Sequence, residues 1–165
     1  MNFLPRSRGL ALMLLICGGS CGFSKGDPGK EEIGQLEVTV YFATDGDPSV
    51  AGQKATGVSE AIRMRLQTEN KLSFSHYRTL GVETKPILRS YENWAQPLTP
   101  SDEVLVRFET RSQPAAGLIS LDLDLWLARK KILKTHAPLS PGRPLYVLGP
   151  EWRGGRLIIA VALAP

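Results

Sequence analysis

Apolar residues recur at every second position from Ile119 to Leu127, within the segment 118–128, and this pattern constrains the fold more than any other in the chain. One side of the segment is apolar and consists of Ile119, Leu121, Leu123, Leu125 and Leu127. The other side consists of Ser120, Asp122, Asp124 and Trp126. Successive side chains of a β-strand point to opposite faces, so a period of two indicates a strand with one face in a core.

Further segments with strand patterns surround this one and are separated by turns rich in Pro, Gly and Ser. The predicted strands are residues 36–43, 72–80, 85–89, 103–111, 118–128, 132–136, 145–148 and 156–163. The last of them is apolar on both faces, which is typical of a central strand that is covered on each side. Many strands separated by turns of this kind favour an antiparallel sandwich or open barrel.

One helix is predicted for residues 57–69. Val58, Ile62 and Leu66 recur every fourth residue, and Ala61 joins their stripe. A helix of this length is marginal alone in water, so it must pack its stripe on a sheet. The fold class that follows is mainly β: a single antiparallel β-sandwich-like domain with one α-helix packed on a sheet.

The first 22 residues have the order of a secretory signal peptide. Arg6 and Arg8 form a basic end, residues 10–16 are continuously apolar, and small residues follow. The apolar run is shorter than the roughly 18 to 20 residues that cross a bilayer, so a permanent transmembrane helix is not expected. Residues 23–35 lack an apolar period and are predicted to be a flexible tether to a globular domain at 36–165. We therefore expect an exported protein of the periplasm or outer membrane of a bacterium.

The residues before Cys21 resemble the lipobox of bacterial lipoproteins. Gly18, Gly19 and Ser20 precede this cysteine, although the family usually carries Leu at the position of Gly18. The resemblance implies that Cys21 is lipidated and becomes the new N-terminus. The alternative is ordinary cleavage near Ser20, which would release a soluble exported protein. Either route leaves at most one cysteine and so excludes a disulfide framework.

The charge balance makes nucleic acid a poor partner. Loss of Arg6 and Arg8 with the leader leaves 18 basic and 16 acidic side chains, without a strongly basic stripe. The densest basic cluster, residues 129–131 with Lys134, is predicted to be a solvated hairpin tip. Contact with a membrane is therefore expected only through the N-terminal lipid.

The sequence contains little that points to catalysis. Its only histidines, His76 and His136, are assigned structural or surface roles, and no G-x-S-x-G, H-E-x-x-H, Walker or C-x-x-C motif is present. A Ser–His arrangement could still assemble in space. We predict no catalytic residue and no cofactor.

Two pairs of aspartates are candidates for a calcium site. Asp122 and Asp124 share a strand face, and Asp45 and Asp47 share a turn. Calcium requires six to eight oxygen ligands, which neither pair supplies. We predict a solvated strand face and a turn, and no metal site.

Aromatic residues offer a binding alternative, because Tyr91, Trp94, Trp126 and Trp152 could form a stacking surface for a glycan or peptide. Trp126 shares the polar side of its strand with Asp122 and Asp124, so either the helix covers it or it is presented to a partner. Coverage by the helix is favoured, and Trp152 is predicted to plug an end of the sandwich. Trp126, Asp122 and Asp124 form the candidate binding surface.

The segments FSHYRTLG and PLYVLGPEWRGGRLIIAVAL resemble small exported bacterial proteins of uncharacterised function, over about residues 58–163. The resemblance implies a bacterial envelope protein and carries no reaction with it. We expect a non-enzymatic, lipid-anchored envelope protein that binds or supports another envelope macromolecule, a protein or a glycan. The alternatives are a small-ligand or glycan-binding β-sandwich module and, third, an envelope hydrolase.

Overall fold

The computed structural model describes residues 26–98, 103–115 and 117–164, with the backbone alone at 113–115. Within these ranges the chain forms two antiparallel sheets and one α-helix, which confirms the expected β-sandwich-like domain. The strands are β1 (Glu32–Thr44), β2 (Thr56–Gly57), β3 (His76–Leu88), β4 (Asn93–Ala95), β5 (Val104–Ala115), β6 (Leu118–Leu127), β7 (Lys130–Leu139), β8 (Leu145–Trp152) and β9 (Gly155–Leu163), and the helix is α1 (Glu60–Thr68).

The five-stranded sheet has the strand order β2-β3-β1-β9-β8, and the four-stranded sheet has the order β4-β5-β6-β7. The β9 strand lies between β1 and β8, and both of its faces are buried. Leu157, Ile159 and Val161 face the cluster between the sheets, whereas Ile158 and Ala160 face a second cluster under the helix. The prediction of a central strand covered on both sides is therefore confirmed.

Apolar side chains that alternate along the strands fill the space between the sheets. The four-stranded sheet contributes the apolar side of β6, and the five-stranded sheet contributes the apolar side of β1. The buried members from these two strands are Ile119, Leu121, Leu123, Leu125, Leu36, Val38 and Val40. The alternation in the sequence thus correctly identified the buried side of both strands.

The α1 helix is shorter than residues 57–69 at both ends. The hydroxyl of Ser59 caps its start by accepting a hydrogen bond from the Ile62 N–H (3.3 Å), while Gly57 pairs with Arg78 in the sheet. Its buried residue, Leu66, packs on the outer side of the five-stranded sheet against a cluster that includes Tyr41 and Tyr77. The predicted packing of the helix on a sheet is confirmed.

A single strand, β3, replaces the two predicted strands at 72–80 and 85–89. Gly81, which resembles a turn residue in the sequence, lies inside this strand at a register shift opposite Val40 and Tyr41. A Cβ atom at Gly81 would lie 1.4 Å from the carbonyl oxygen of Pro97. The glycine therefore allows a second stretch of backbone to pass close to the strand rather than ending it.

The predicted tether at 23–35 is wrong over the part that the structure describes, because β1 already begins at Glu32. Asp27 caps a short 3₁₀ turn at Pro28–Lys30 and accepts a hydrogen bond from the hydroxyl of Tyr91 (2.6 Å). Glu31 forms an ion pair with Arg89 (2.7 Å). This stretch is held by backbone and polar contacts, which an apolar period cannot reveal. Residues 23–25, like the predicted signal peptide at 1–22, lie outside the described residues.

Candidate binding face

The three candidate site residues lie on the outer side of the four-stranded sheet. Asp122, Asp124 and Trp126 alternate along β6 with the leucines of the core, so their side chains point away from it. The neighbouring strands add more charged side chains to the same side. We call this surface the polar face; it consists of Glu92, Arg107, Glu109, Arg111, Asp122, Asp124, Trp126, Lys131, Lys134 and His136.

The register between the strands sets which side chains meet on the polar face. Asp122 lies between Glu109 on β5 and His136 on β7. Asp124 lies one row along, between Arg107 and Lys134. Directly opposed residues in antiparallel strands have neighbouring side chains, so this register places Asp124 between two bases and Asp122 between an acid and a histidine.

The helix does not cover Trp126, which corrects the favoured prediction. The α1 helix packs on the outer side of the other sheet, so the two are on opposite sides of the sandwich. The cover over the indole is instead Lys131, whose Nζ lies 4.9 Å from the ring centroid. The indole N–H of Trp126 is buried and has no hydrogen-bond acceptor among the described residues.

Asp124 is buried, although its position on a polar strand side predicted a solvated carboxylate. The residue is only 5% exposed. Its carboxylate lies 2.9 Å from Nζ of Lys131 and 3.7 Å from a guanidinium nitrogen of Arg107. A carboxylate this deeply buried needs such partners, because removing a charge from water is otherwise strongly unfavourable.

Arg107 connects acids of two strands, β5 and β6, with the segment before β4. Its guanidinium donates hydrogen bonds to Glu92 and to Glu109, besides its contact with Asp124. The hydrogen bond that Arg107 donates to Glu92 raises the pKa of Arg107. The same bond, together with one from the indole of Trp94 (3.3 Å), lowers the pKa of Glu92. The fork of donors on an arginine suits this role, since it can bind several carboxylates at once.

Asp122 is held between Arg111 and His136. Arg111 donates to its carboxylate (2.6 Å), and Nδ1 of His136 lies 3.0 Å from the other carboxylate oxygen. The hydrogen bond from Arg111, followed by that from His136, lowers the pKa of Asp122 from 3.8 to about 2. Both oxygens of Asp122 are therefore occupied by partners from β5 and β7.

The predicted aromatic surface is not one surface. Trp94 pairs with Arg107 and so lies on the same side of the sheet as Trp126. Tyr91 is instead bonded to Asp27. Trp152 packs edge-on against Phe42, with ring centroids 5.7 Å apart, and contacts the core between the sheets. Of the four rings, Trp94 and Trp126 lie on the outer side of the four-stranded sheet, and Trp126 alone is part of the polar face.

The residues considered for metal binding or catalysis have other partners. Asp45 accepts hydrogen bonds from the N–H and the hydroxyl of Ser75, and Asp47 caps a turn through Ser49. The described part of the chain holds no group of three or more His, Cys, Asp or Glu residues arranged to bind a metal. Neither His76 nor His136 is hydrogen-bonded to a serine or cysteine side chain within that part.

Sequence reasoning identified the strand of the polar face but missed the arginines that organise it. The alternation of residues 103–111 does place Arg107 on the outer side of its strand. Its pairing with Asp124, and that of Arg111 with Asp122, depends on the register between β5 and β6. Two register shifts lie between the β5–β6 turn and those pairs. The residues that face each other could therefore not be found by counting outward from the turn in the sequence.

Comparison of the chain with protein-family models, with curated proteins and with solved structures finds no match. In the ranges that the structure describes, no helix has the length and apolar character needed to span a membrane.

The lowered pKa of Asp122 predicts a contribution to stability that is present above its unfolded value of 3.8 and is lost as the pH falls through about 2. Arg111→Gln should raise the pKa of Asp122 toward 3.8 and move this loss to higher pH. NMR titration of the Asp122 carboxyl carbon measures it. Arg143→Gln, in a distant exposed turn, is the control and should leave the titration unchanged. A wild-type titration near 3.8 would contradict the assigned ion pair.

Proposed function

We propose that this protein is a non-enzymatic component of the bacterial cell envelope, anchored by a lipid on Cys21, whose polar face binds another envelope protein. The export and anchoring parts rest on the signal-like residues 1–22 and the lipobox-like residues before Cys21, all outside the described residues. The observation that carries the binding part is an ordered face of cross-strand ion pairs around the indole N–H of Trp126, which has no acceptor among the described residues.

The shape of the polar face favours a large partner over a small ligand. None of the four principal cavities that the described residues form is lined by a residue of this face. Small ligands bind in concave sites that bury most of their surface, whereas protein interfaces are broad. The outer side of this sheet has the broad geometry of a protein interface.

The charge of the polar face favours a protein over nucleic acid, a lipid headgroup surface or a glycan. Four acidic and four basic side chains occupy it, so it has no net charge while His136 is neutral. Nucleic acids and anionic membranes attract surfaces of positive charge. Glycans stack on open aromatic rings, but Lys131 lies over the ring of Trp126. A protein that presents both signs of charge can match this face and is oriented by it.

Trp126 is the residue on which we expect the partner to be anchored. A buried donor without an acceptor destabilises the free protein by about 1–3 kcal/mol. An acceptor on the partner that reaches the indole N–H would remove this penalty. Tryptophan is among the residues that most often dominate binding energy when an interface covers them.

The envelope-hydrolase alternative depends on the contact between His136 and Asp122. That pair has the orientation of a general base with its supporting carboxylate. It lies on an open face, and the side chain of His136 is 56% exposed. Because His136 belongs to the polar face, replacing it perturbs binding and chemistry together. Replacing His76 alone leaves the face intact and tests only whether His76 itself has a chemical role.

The first prediction concerns the lipid anchor. Intact-mass measurement of the protein from membranes should show a chain that begins at Cys21 and carries acyl groups. Cys21→Ala should leave an unprocessed precursor, and Cys17→Ala should leave the mature mass unchanged. If the mature protein carries no acyl mass, whichever residue it begins with, the lipid anchor is excluded but export is not.

The second prediction concerns the polar face. A photo-cross-linking residue in place of Lys134 should give one defined protein adduct in cells, and the same residue in place of the exposed Met64 on α1 should not. Adding Trp126→Ala to the first variant should abolish the adduct while the melting midpoint stays near that of the parent, because the ring lies outside the core between the sheets.

Tyr91→Ala is the matched control, since Tyr91 is an exposed aromatic residue away from the polar face. It should leave the adduct intact. Adducts that form equally from both positions, or that persist in Trp126→Ala, would exclude the polar face as the binding surface. Loss of the adduct with a large drop in melting midpoint would assign Trp126 a structural role instead.

A further inference from the structure

A cavity of about 530 Å³ lies at the margin of the sandwich, between the edge of β3 and the chain that leads into β5. Its volume falls within the roughly 300–1,000 Å³ that is usual for small-ligand sites. We call it the margin pocket. The lining residues that matter for its chemistry are Lys54, Leu80, Leu98, Glu103, Trp152 and Arg153. None of them belongs to the polar face.

Small residues open this space. Ala51, Gly52, Ala55 and Gly81 line it and present little or no side chain. Gly52 has a φ of 96°, a conformation that favours glycine, so a larger residue is disfavoured there by the backbone itself. The close passage of Pro97 beside Gly81 forms one wall.

The floor of the margin pocket is apolar and held by the core. Leu98 is buried, and Leu80 and Trp152 pack against the cluster between the sheets. The ring of Trp152 is fixed edge-on by Phe42, with an interplanar angle of 69°. A floor that is part of the core is rigid, so a flat apolar group can bind to it without ordering loose side chains first.

The rim of the margin pocket carries two cations that lack acidic partners. The guanidinium of Arg153 stacks over the ring of Trp152, at 4.3 Å from the centroid, and its remaining contact is a long one (3.5 Å) to the Val50 carbonyl. Among the described residues, no carboxylate lies within ion-pair distance of Arg153 or of the exposed Lys54. Both arginines of the polar face, Arg107 and Arg111, are in contrast paired with carboxylates.

We propose that the margin pocket binds a small organic monocarboxylate with a flat or acyl apolar body. Arg153 and Lys54 bind the carboxylate, and the two leucines, with the part of Trp152 that Arg153 leaves uncovered, contact the apolar body. An arginine presents two parallel N–H donors that match the two oxygens of a carboxylate. Glu103 also lines the pocket, so a second negative charge on the ligand is disfavoured. The site is separate from the polar face and adds a small-molecule ligand to the proposed protein partner.

The experiment is a two-dimensional NMR titration of the isotope-labelled protein purified from the envelope fraction. The probes are phenylbutyrate and its neutral analogue phenylbutyramide, which differ only in the charged group. Phenylbutyrate should shift the indole N–H resonance of Trp152 with a dissociation constant below about 1 mM, and the amide should bind about tenfold more weakly.

Arg153→Asn should weaken phenylbutyrate binding about tenfold, because it removes the charge-assisted bonds. Asparagine is chosen because Arg153 has a φ of 48°, a conformation that asparagine tolerates. Lys54→Gln, at an exposed position, is a second variant that should weaken binding without affecting folding. Arg143→Asn is the control with the same loss of charge in a distant turn, and it should bind as the parent does.

Three results would overturn the proposal. Absence of a saturable shift of Trp152 would exclude the site, and equal binding of the acid and the amide would exclude recognition of an anion. Shifts of Trp126 in place of Trp152 would move the ligand to the polar face. The titration is independent of the cross-linking experiment, so failure of one proposal leaves the other standing.

Discussion

Burial of two apolar sheet faces against each other is the interaction on which the rest of the structure depends. The described residues contain no cysteine, so the sandwich is stabilised by its core rather than by disulfides. Each buried leucine or isoleucine contributes about 1.5–3 kcal/mol through removal from water. Strand geometry then has a second consequence: every residue between two core leucines of β6 must point outward. The position of Asp122, Asp124 and Trp126 follows from the burial of Leu123 and Leu125.

The polar face is therefore tied to the register of the core strands. Asp124 is stable as a buried carboxylate only because Arg107 and Lys131 arrive beside it from β5 and β7. A slip of either strand by one residue would turn that strand's own core residues outward and separate these charges at the same time. The ion pairs thus add specificity to a register that the core already favours. A face held in this way keeps one geometry, which reduces the entropy lost when a partner binds.

The sequence allowed the strands, their buried sides and the helix on a sheet to be predicted, because each depends on a local period. The errors have physical causes that no local period reports. Gly81 was taken for a turn, but it permits a close passage of Pro97. Residues 27–35 were taken for a tether, but Glu31 and Asp27 bind side chains some sixty residues away. The helix was expected to cover Trp126. Which element covers a strand face depends on how the strands are arranged in the two sheets, and alternation along one strand does not determine that arrangement.

If a protein covers the polar face in the envelope, as proposed, lysine acylation read by mass spectrometry should detect that cover. A water-soluble acylating reagent is applied to intact envelopes and to the purified protein, and the labelling of Lys131 and Lys134 is compared with that of the exposed Lys71. The account predicts that Lys131 and Lys134 are protected in the envelope while Lys71 reacts equally in both samples. Equal labelling of all three lysines in the two samples would contradict it.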